Sequence, residues 1–419
     1  MVSFWRIFSL ELKSLWRGKT APMLALAATA WTLACPYFVR GDGTTAGAEE
    51  MVLRYTLGGA AAIVAVSLLI AGAGSIARER ETMRLQLTLI RPVGRWAVAL
   101  ARMAALSALA SALIMGSAAL YAALAQFGRG SELFAQDCSH VYRPELPSPK
   151  AEAEVMYSLY MADAGTPKSA KEAPRKVVLR LLAQRARDRY DTIGTNETAV
   201  WKFALPTAAK SAAVRLKFTN LYDQRRTVEG FLAFGAATGL VRNVTRATNV
   251  FALSGTPDGG ELKFANCGTD AVMLRPRQDV EVLIKADGFA ANLLRASLEL
   301  SAIAALLISF AVMLSSLLSR QVAVFVAVAA LALAEMSPSV LEQYPDELEK
   351  DRVDAIGLSL TRMTVELARP VSSLSPVEKL ASGECVEWSE TARALFTHIL
   401  LAPLLMALLA GLALPRKNF

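Results

Sequence analysis

Five long apolar stretches, near residues 21–39, 55–77, 97–126, 296–318 and 394–414, dominate this chain, and a shorter one lies near 321–336. A helix needs about 20 residues to cross roughly 30 Å of hydrocarbon. Inside a bilayer every backbone polar group must be satisfied within the segment, so runs of this length and composition select helices. The chain is 54% hydrophobic with a mean hydropathy of +0.36, far from the balance of a water-soluble domain. Six membrane helices are expected, and the rest of the sequence must fit between them.

Lysine and arginine in the short connections set the orientation. Arg6, Lys13, Arg17 and Lys19 precede the first stretch. Arg78, Arg80, Arg84, Arg91 and Arg95 follow the second. Arg320 lies between the fourth and fifth, and Arg416 and Lys417 follow the last. With six spans all these residues share one side, the cytoplasm, and both termini are there. Residues 338–392 start acid-rich (Glu342, Asp346, Glu347, Glu349, Asp351, Asp354) and fall on the other side. The net charge of +8 is then membrane topology, and no nucleic-acid partner is implied. Thr32-Leu33-Ala34-Cys35 resembles a lipoprotein cleavage site, but its leucine stands one position too close to the cysteine, so the segment is kept as a span.

The organisation follows in chain order. Residues 1–20 form an interfacial amphipathic helix, with Trp5, Phe8, Leu12, Leu15 and Trp16 at helical spacing and basic residues largely elsewhere. Residues 21–127 hold spans one to three. Gly72-Ala73-Gly74-Ser75 allow close helix packing, and Arg102 is placed to snorkel to the inner surface. Residues 128–288 are a soluble insertion large enough for a domain. Pro144 to Lys171 is expected to be irregular and 174–190 helical. Val200–Leu205, Ala213–Phe218, Val228–Phe234, Asn249–Leu253, Glu261–Phe264 and Val280–Ile284 read as strands with turn residues between them. Residues 289–337 hold spans four and five, 338–392 form an outer segment, and 393–419 hold span six and a basic tail. The expected fold is an α-helical membrane protein with six transmembrane helices. An extracytoplasmic α+β, sandwich-like insertion lies between spans three and four.

Little of the sequence suggests catalysis. There is no GxxxxGK[ST] loop; Gly255-Thr256-Pro257-Asp258-Gly259-Gly260 lacks the lysine. GxSxG and HExxH are absent, and the histidines are His140 and His398 alone. No catalytic residue and no metal site are expected. Cys138 and Cys267 are a candidate disulfide in an oxidising compartment, with Cys385 as a competitor. Ionisable groups inside spans are functional candidates. Arg295 and Glu299, one turn apart, line a pathway or pair with each other; His398 relays protons or makes an interhelical hydrogen bond.

The loop after span two is the positive signal. Arg78, Glu79, Arg80, Glu81 and Arg84 are suited to ion pairs with a docked cytosolic partner. Leu85, Leu87, Leu89 and Ile90 offer apolar contacts, Pro92 stops the short helix, and Trp96 seats span three. The run Glu79-Arg80-Glu81-Thr82, a helical stretch from Met83, and Leu89-Ile90-Arg91-Pro92-Val93-Gly94-Arg95-Trp96 resembles the corresponding loop of type-2 ATP-binding-cassette exporter permeases. Ser319-Arg320-Gln321-Val322-Ala323 resembles that family's short inner turn, and Pro370 to Gly383 its proline-to-glycine stretch before the last span. The likeness spans the membrane helices and not the 128–288 insertion. It departs from the family at Thr82, which lacks a preceding glycine, and at Gly94, where serine or threonine is usual.

The resemblance implies a permease in the bacterial inner membrane. It would pair with a second copy, identical or homologous, and bind separate ATPase subunits through a coupling helix at 78–92. Arg78, Glu79, Arg80, Glu81, Thr82, Arg84, Leu87, Arg91, Pro92 and Arg95 would form the coupling site. ATP and magnesium would belong to the partner, with no cofactor on this chain. Membrane lipid and a periplasmic protein are further partners to expect. The alternative, from another class, is a non-transporting structural or mechanosignalling protein whose periplasmic domain is moved by a partner ATPase. A membrane-anchored carbohydrate-active enzyme would need paired carboxylates in the sandwich, and none is convincing.

Overall fold

The computed structural model describes residues 2–39, 45–82, 94–127, 138–162, 175–187, 189–205, 212–219, 227–235, 237–244, 248–253, 260–343 and 376–413. They fall into a helical unit, residues 1–40, 49–137 and 287–419, and a β-rich unit, residues 41–48 and 138–286.

The chain opens with α1 (Val2–Arg17), α2 (Thr20–Phe38), α3 (Thr45–Glu81) and α4 (Arg95–Phe127). At 1.5 Å per residue α3 is roughly 55 Å long, well beyond the hydrocarbon thickness. Its charged last turns therefore extend past the apolar middle. Leu53, Leu57, Val64 and Leu68 line its buried face at helical spacing. Farther on, Gly72 lets it approach a later helix: a Cβ there would meet Val312 Cγ2 at 3.2 Å. This is the close packing expected from the Gly72 to Ser75 run.

The β-rich unit contains α5 (Pro149–Ala162), α6 (Arg175–Arg187) and α7 (Pro276–Asp279) around ten strands. These are β1 (Cys138–Tyr142), β2 (Asp191–Ile193), β3 (Thr198–Lys202), β4 (Ala212–Lys217) and β5 (Thr227–Phe234), then β6 (Ala237–Val244), β7 (Thr248–Leu253), β8 (Glu261–Asn266), β9 (Val272–Leu274) and β10 (Val280–Asp287). One sheet has the order β1-β10-β4-β7, the other β3-β8-β5-β6, and β2 pairs with β9. The chain crosses directly between these two sheets after β3, after β4, after β6 and after β7, as a sandwich requires. Residues alternate buried and exposed along β5, and its Leu232 stands opposite Phe264 of β8. Trp201, Leu216, Phe218, Phe234, Phe264 and Val282, among others, make one core.

All six expected strands are present. Two expectations for this unit fail. Residues 149–162, read as irregular, are helical, because Ala153 packs inward and Glu152 pairs with Arg277 at 3.1 Å. Cys138 and Cys267 are not bridged. Cys138 is buried at the start of β1 in one sheet, and Cys267 is exposed just past β8 in the other. Cys35 and Cys385 are not in a disulfide either.

The second helical stretch is α8 (Phe289–Leu317), α9 (Arg320–Gln343), α10 (Pro376–Ala381), α11 (Trp388–Ala394), a π-helical turn at Leu395–Leu401, and α12 (Ala402–Ala413). Pro403 explains the wide turn. It has no N–H, and its ring would collide with the carbonyl four residues back. The Ala402 N–H accordingly reaches Thr397, five residues back. Among the described residues, five helical stretches are long and apolar enough to cross a membrane: Thr20–Phe38, Ala48–Glu81, Arg95–Ala125, Phe289–Leu317 and Trp388–Ala413. The expected fifth span falls in α9, where the apolar part, Arg320–Ala332, is shorter. The chain is thus a multi-pass membrane protein with a β-sandwich-like unit.

Candidate functional site

The end of α3 carries the first half of the expected coupling site. Residues 83–93, with Arg84, Leu87, Arg91 and Pro92, lie outside the described residues, and Arg95 opens α4. Two backbone N–H groups of α3, from Ile76 and Ala77, donate to Ser315 Oγ of α8 at 3.0 and 2.9 Å. Arg80 caps the end of α8, donating to the Ser316 and Leu318 carbonyls at 3.3 and 2.6 Å. These carbonyls have no partner within their helix, so a guanidinium is well matched to them. Glu81 accepts from the Arg320 backbone N–H at 3.3 Å, placing an acid at the start of α9. Thr82 turns its hydroxyl back onto the Arg78 carbonyl at 2.9 Å. Arg78 is exposed.

Glu79 is directed inward. It pairs with Arg102 of α4, which also donates to the Ser75 carbonyl at 3.1 Å. Arg102 is only 3% exposed. It does not snorkel as expected, because two acceptors on α3 satisfy it inside the helix packing. Its Nε is buried with no hydrogen-bond partner.

Sequence reasoning missed the third member of this cluster. Along α1 the inward stripe contains Phe4, Ile7, Phe8, Glu11, Leu12 and Leu15, while Trp5 and Trp16 are exposed. Burial pushes the Glu11 carboxyl above the usual range; Arg102 draws it back and Glu79 adds to the rise. The available signal was Ile7, Glu11 and Leu15 at four-residue spacing, an acid inside an apolar stripe.

The other predicted residues lie elsewhere in the helical unit. Arg295 and Glu299 do not pair with each other. Arg295 pairs with Asp287 at 2.9 Å and sits over the Trp388 ring at 5.6 Å. Glu299 accepts from the Thr391 hydroxyl at 3.0 Å. Nearby, buried Asn292 donates to the Glu384 carbonyl and accepts from the Val386 N–H, both at 2.8 Å. These contacts tie α8 to the segment entering the last span. His398 is buried in the π-helical turn, and its Nδ1 makes no hydrogen bond. A cleft of about 220 Å³ between α4, α8 and the last span is lined by Met103, Ser107, Ser111, Ala305 and Pro403, among others. Among the described residues no group of three His, Cys, Asp or Glu side chains is placed to hold a metal.

No protein-family model, no curated protein and no solved structure matches this chain. The end of α3 is bound to α4 through Arg102 and to the α8–α9 turn through Ser315, Arg80 and Glu81.

Proposed function

We propose that this chain is the permease subunit of an ATP-binding-cassette exporter, driven by a separate ATPase that docks on the loop between α3 and α4. The observation that carries this reading is the way the base of that loop is fastened. A force applied to residues 83–93 reaches α4 through Arg102 and α8 and α9 through Arg80 and Glu81. A plain hairpin between spans has no need of such ties. Glu79 is already occupied by Arg102, so in this reading partner contacts fall to Arg78 and to the loop itself. ATP and magnesium stay on the partner, a second copy of the permease completes the transporter, and α9 serves as the fifth of six spans in a bacterial inner membrane.

The positive-inside pattern supports an orientation with both termini and residues 78–96 in the cytoplasm. A cysteine placed at Lys150 should then react with an impermeant thiol reagent from outside, and one at Thr82 should not. Cys267 must first be replaced, since it is exposed. The opposite labelling would reverse the topology.

The function itself is tested by purifying the tagged full chain from its native membrane. An ATP-hydrolysing subunit should accompany it, and replacing residues 84–91 with a Gly/Ser run should release that subunit without removing the chain from the membrane. Purification of the intact chain free of any nucleotide-binding protein would reject the proposal. The mechanosignalling alternative is favoured by one feature, the direct passage of β10 into α8 with only Gly288 between them. Retained partner binding without substrate movement in vesicles would select it.

A further inference from the structure

Helices α5 and α6 pack against each other in the β-rich unit. Arg175, which opens α6, pairs with Glu154 of α5 at 2.9 Å and lies over the Tyr157 ring at 5.5 Å. Buried Ala153 and Ala186 mark the inward faces of the two helices. The opposite face of α5 holds Ala151, Val155, Ser158, Leu159 and Ala162, all exposed and all on one side at helical spacing. Val155 is 61% exposed and Leu159 65%. On α6, Val177, Leu181 and Gln184 repeat the pattern, and Leu181 is 61% exposed. Exposed apolar side chains scattered singly are ordinary. A charge-free stripe along the outward face is not, because the polar side of a surface helix normally faces water.

The charges of these helices are strongly one-sided in sign. α6 contains Arg175, Lys176, Arg180, Arg185 and Arg187 and no acid. α5 adds Lys150, Glu152 and Glu154. Both acids are engaged, Glu152 by Arg277 at 3.1 Å and Glu154 by Arg175. We propose that α5 and α6 dock on the surface of an anionic phospholipid bilayer, with the aliphatic stripes entering the headgroup boundary and the surplus cations meeting the phosphates. Apolar side chains accompanied by lysine and arginine are the composition of a helix that lies in that boundary. A protein partner fits less well: protein hot spots centre on Trp, Tyr and Arg in packed pockets, whereas this face is small and aliphatic. The proposal concerns the β-rich unit alone and does not depend on the permease reading.

The test uses the full chain in nanodiscs, with its native cysteines replaced and a nitroxide at Leu181 or, as a control, at Thr198, which is exposed on β3. Collision with oxygen reports lipid around the label, and collision with a nickel chelate reports water. Phosphatidylglycerol is supplied either as the disc lipid or as vesicles added to phosphatidylcholine discs. In at least one of these presentations the oxygen-to-nickel ratio at position 181 should rise severalfold over phosphatidylcholine alone, while position 198 stays unchanged. High salt should reduce the rise, and Val155→Asp, a change at an exposed site, should abolish it. A ratio at 181 that is the same with phosphatidylglycerol and phosphatidylcholine in both presentations would overturn the proposal. So would a rise that survives Val155→Asp, or loss of both collision signals at 181, the mark of a protein contact such as a second copy.

Discussion

Glu79→Lys is expected to destabilise the helical unit by about 2–3 kcal/mol, less than the roughly 3–5 kcal/mol that breaking a fully buried pair costs, because Arg102 is buried but the Glu79 side chain is 32% exposed and partly screened by solvent. Arg102 is 3% exposed and cannot turn to water. Glu11 alone would then face two cations. Glu81→Lys should cost under about 1 kcal/mol, because Glu81 is exposed and, among the described residues, its carboxylate accepts one hydrogen bond, from the Arg320 N–H. Thermal unfolding of the two purified variants in the same detergent gives the comparison. Equal losses would mean that the Arg102 pair is not buried as described. The contrast also matters for probing the proposed coupling site. A docking defect measured on Glu79→Lys would confound partner binding with unfolding, so Arg78 and the loop are the positions to change.

Phe264→Ala should remove roughly 3–5 kcal/mol from the β-rich unit. Its ring is fully buried between the sheets, 5.0 Å from the Phe218 centroid. It also occupies the space over Gly230, where a Cβ would come within 2.5 Å of the ring. The vacated volume therefore borders a glycine that has no side chain to fill it. Near-UV circular dichroism of the full chain during thermal unfolding should show the loss. A change below about 1 kcal/mol, the level of an ordinary surface substitution, would contradict face-to-face packing of the sheets.

The spans and strands were legible in the sequence for one reason: each is defined by a hydrophobic period or a continuous apolar run. Thr227–Phe234 alternates cleanly, and Phe289–Leu317 is apolar almost throughout. β6 was missed because Gly239, Arg242 and Asn243 break its alternation, although pairing with β5 sustains it along eight residues. α5 was missed because Ala and Glu dominate its first half, and its helicity rests on contacts with distant Arg277 and Arg175. The charged end of α3 was legible as a site but not as a geometry. Charge pattern marks residues that need partners; it does not say whether those partners are in another protein or 23 residues along the same chain. Arg102 was assigned to the membrane surface by its position near a span end, and Glu11 was passed over because an acid on an amphipathic helix is ordinarily placed on the wet face. Both errors have the same source: each residue's surroundings are set by helices distant in sequence, α3 for Arg102 and α4 for Glu11. The Cys138–Cys267 pairing failed for a related reason: compartment makes a disulfide permissible, and only the sheet assignment of the two residues decides it.

The ties at the end of α3 also impose an order of assembly. Ile76 and Ser315 are 239 residues apart. At synthesis rates of about 5–20 residues per second, Ser315 leaves the ribosome roughly 10–50 s after Ile76. Glu79 and Arg102, separated by 23 residues, can meet almost at once. The nascent chain therefore passes through a long interval in which one side of the junction is closed and the other is open. During that interval Arg80 and Glu81 have no carbonyls or N–H to engage. A motor subunit arriving early would find a half-built handle, whereas one arriving after α9 has emerged would find it anchored on both sides. Under the proposed function, the distance in sequence between the two halves would set the earliest moment at which the docking site is anchored on both sides.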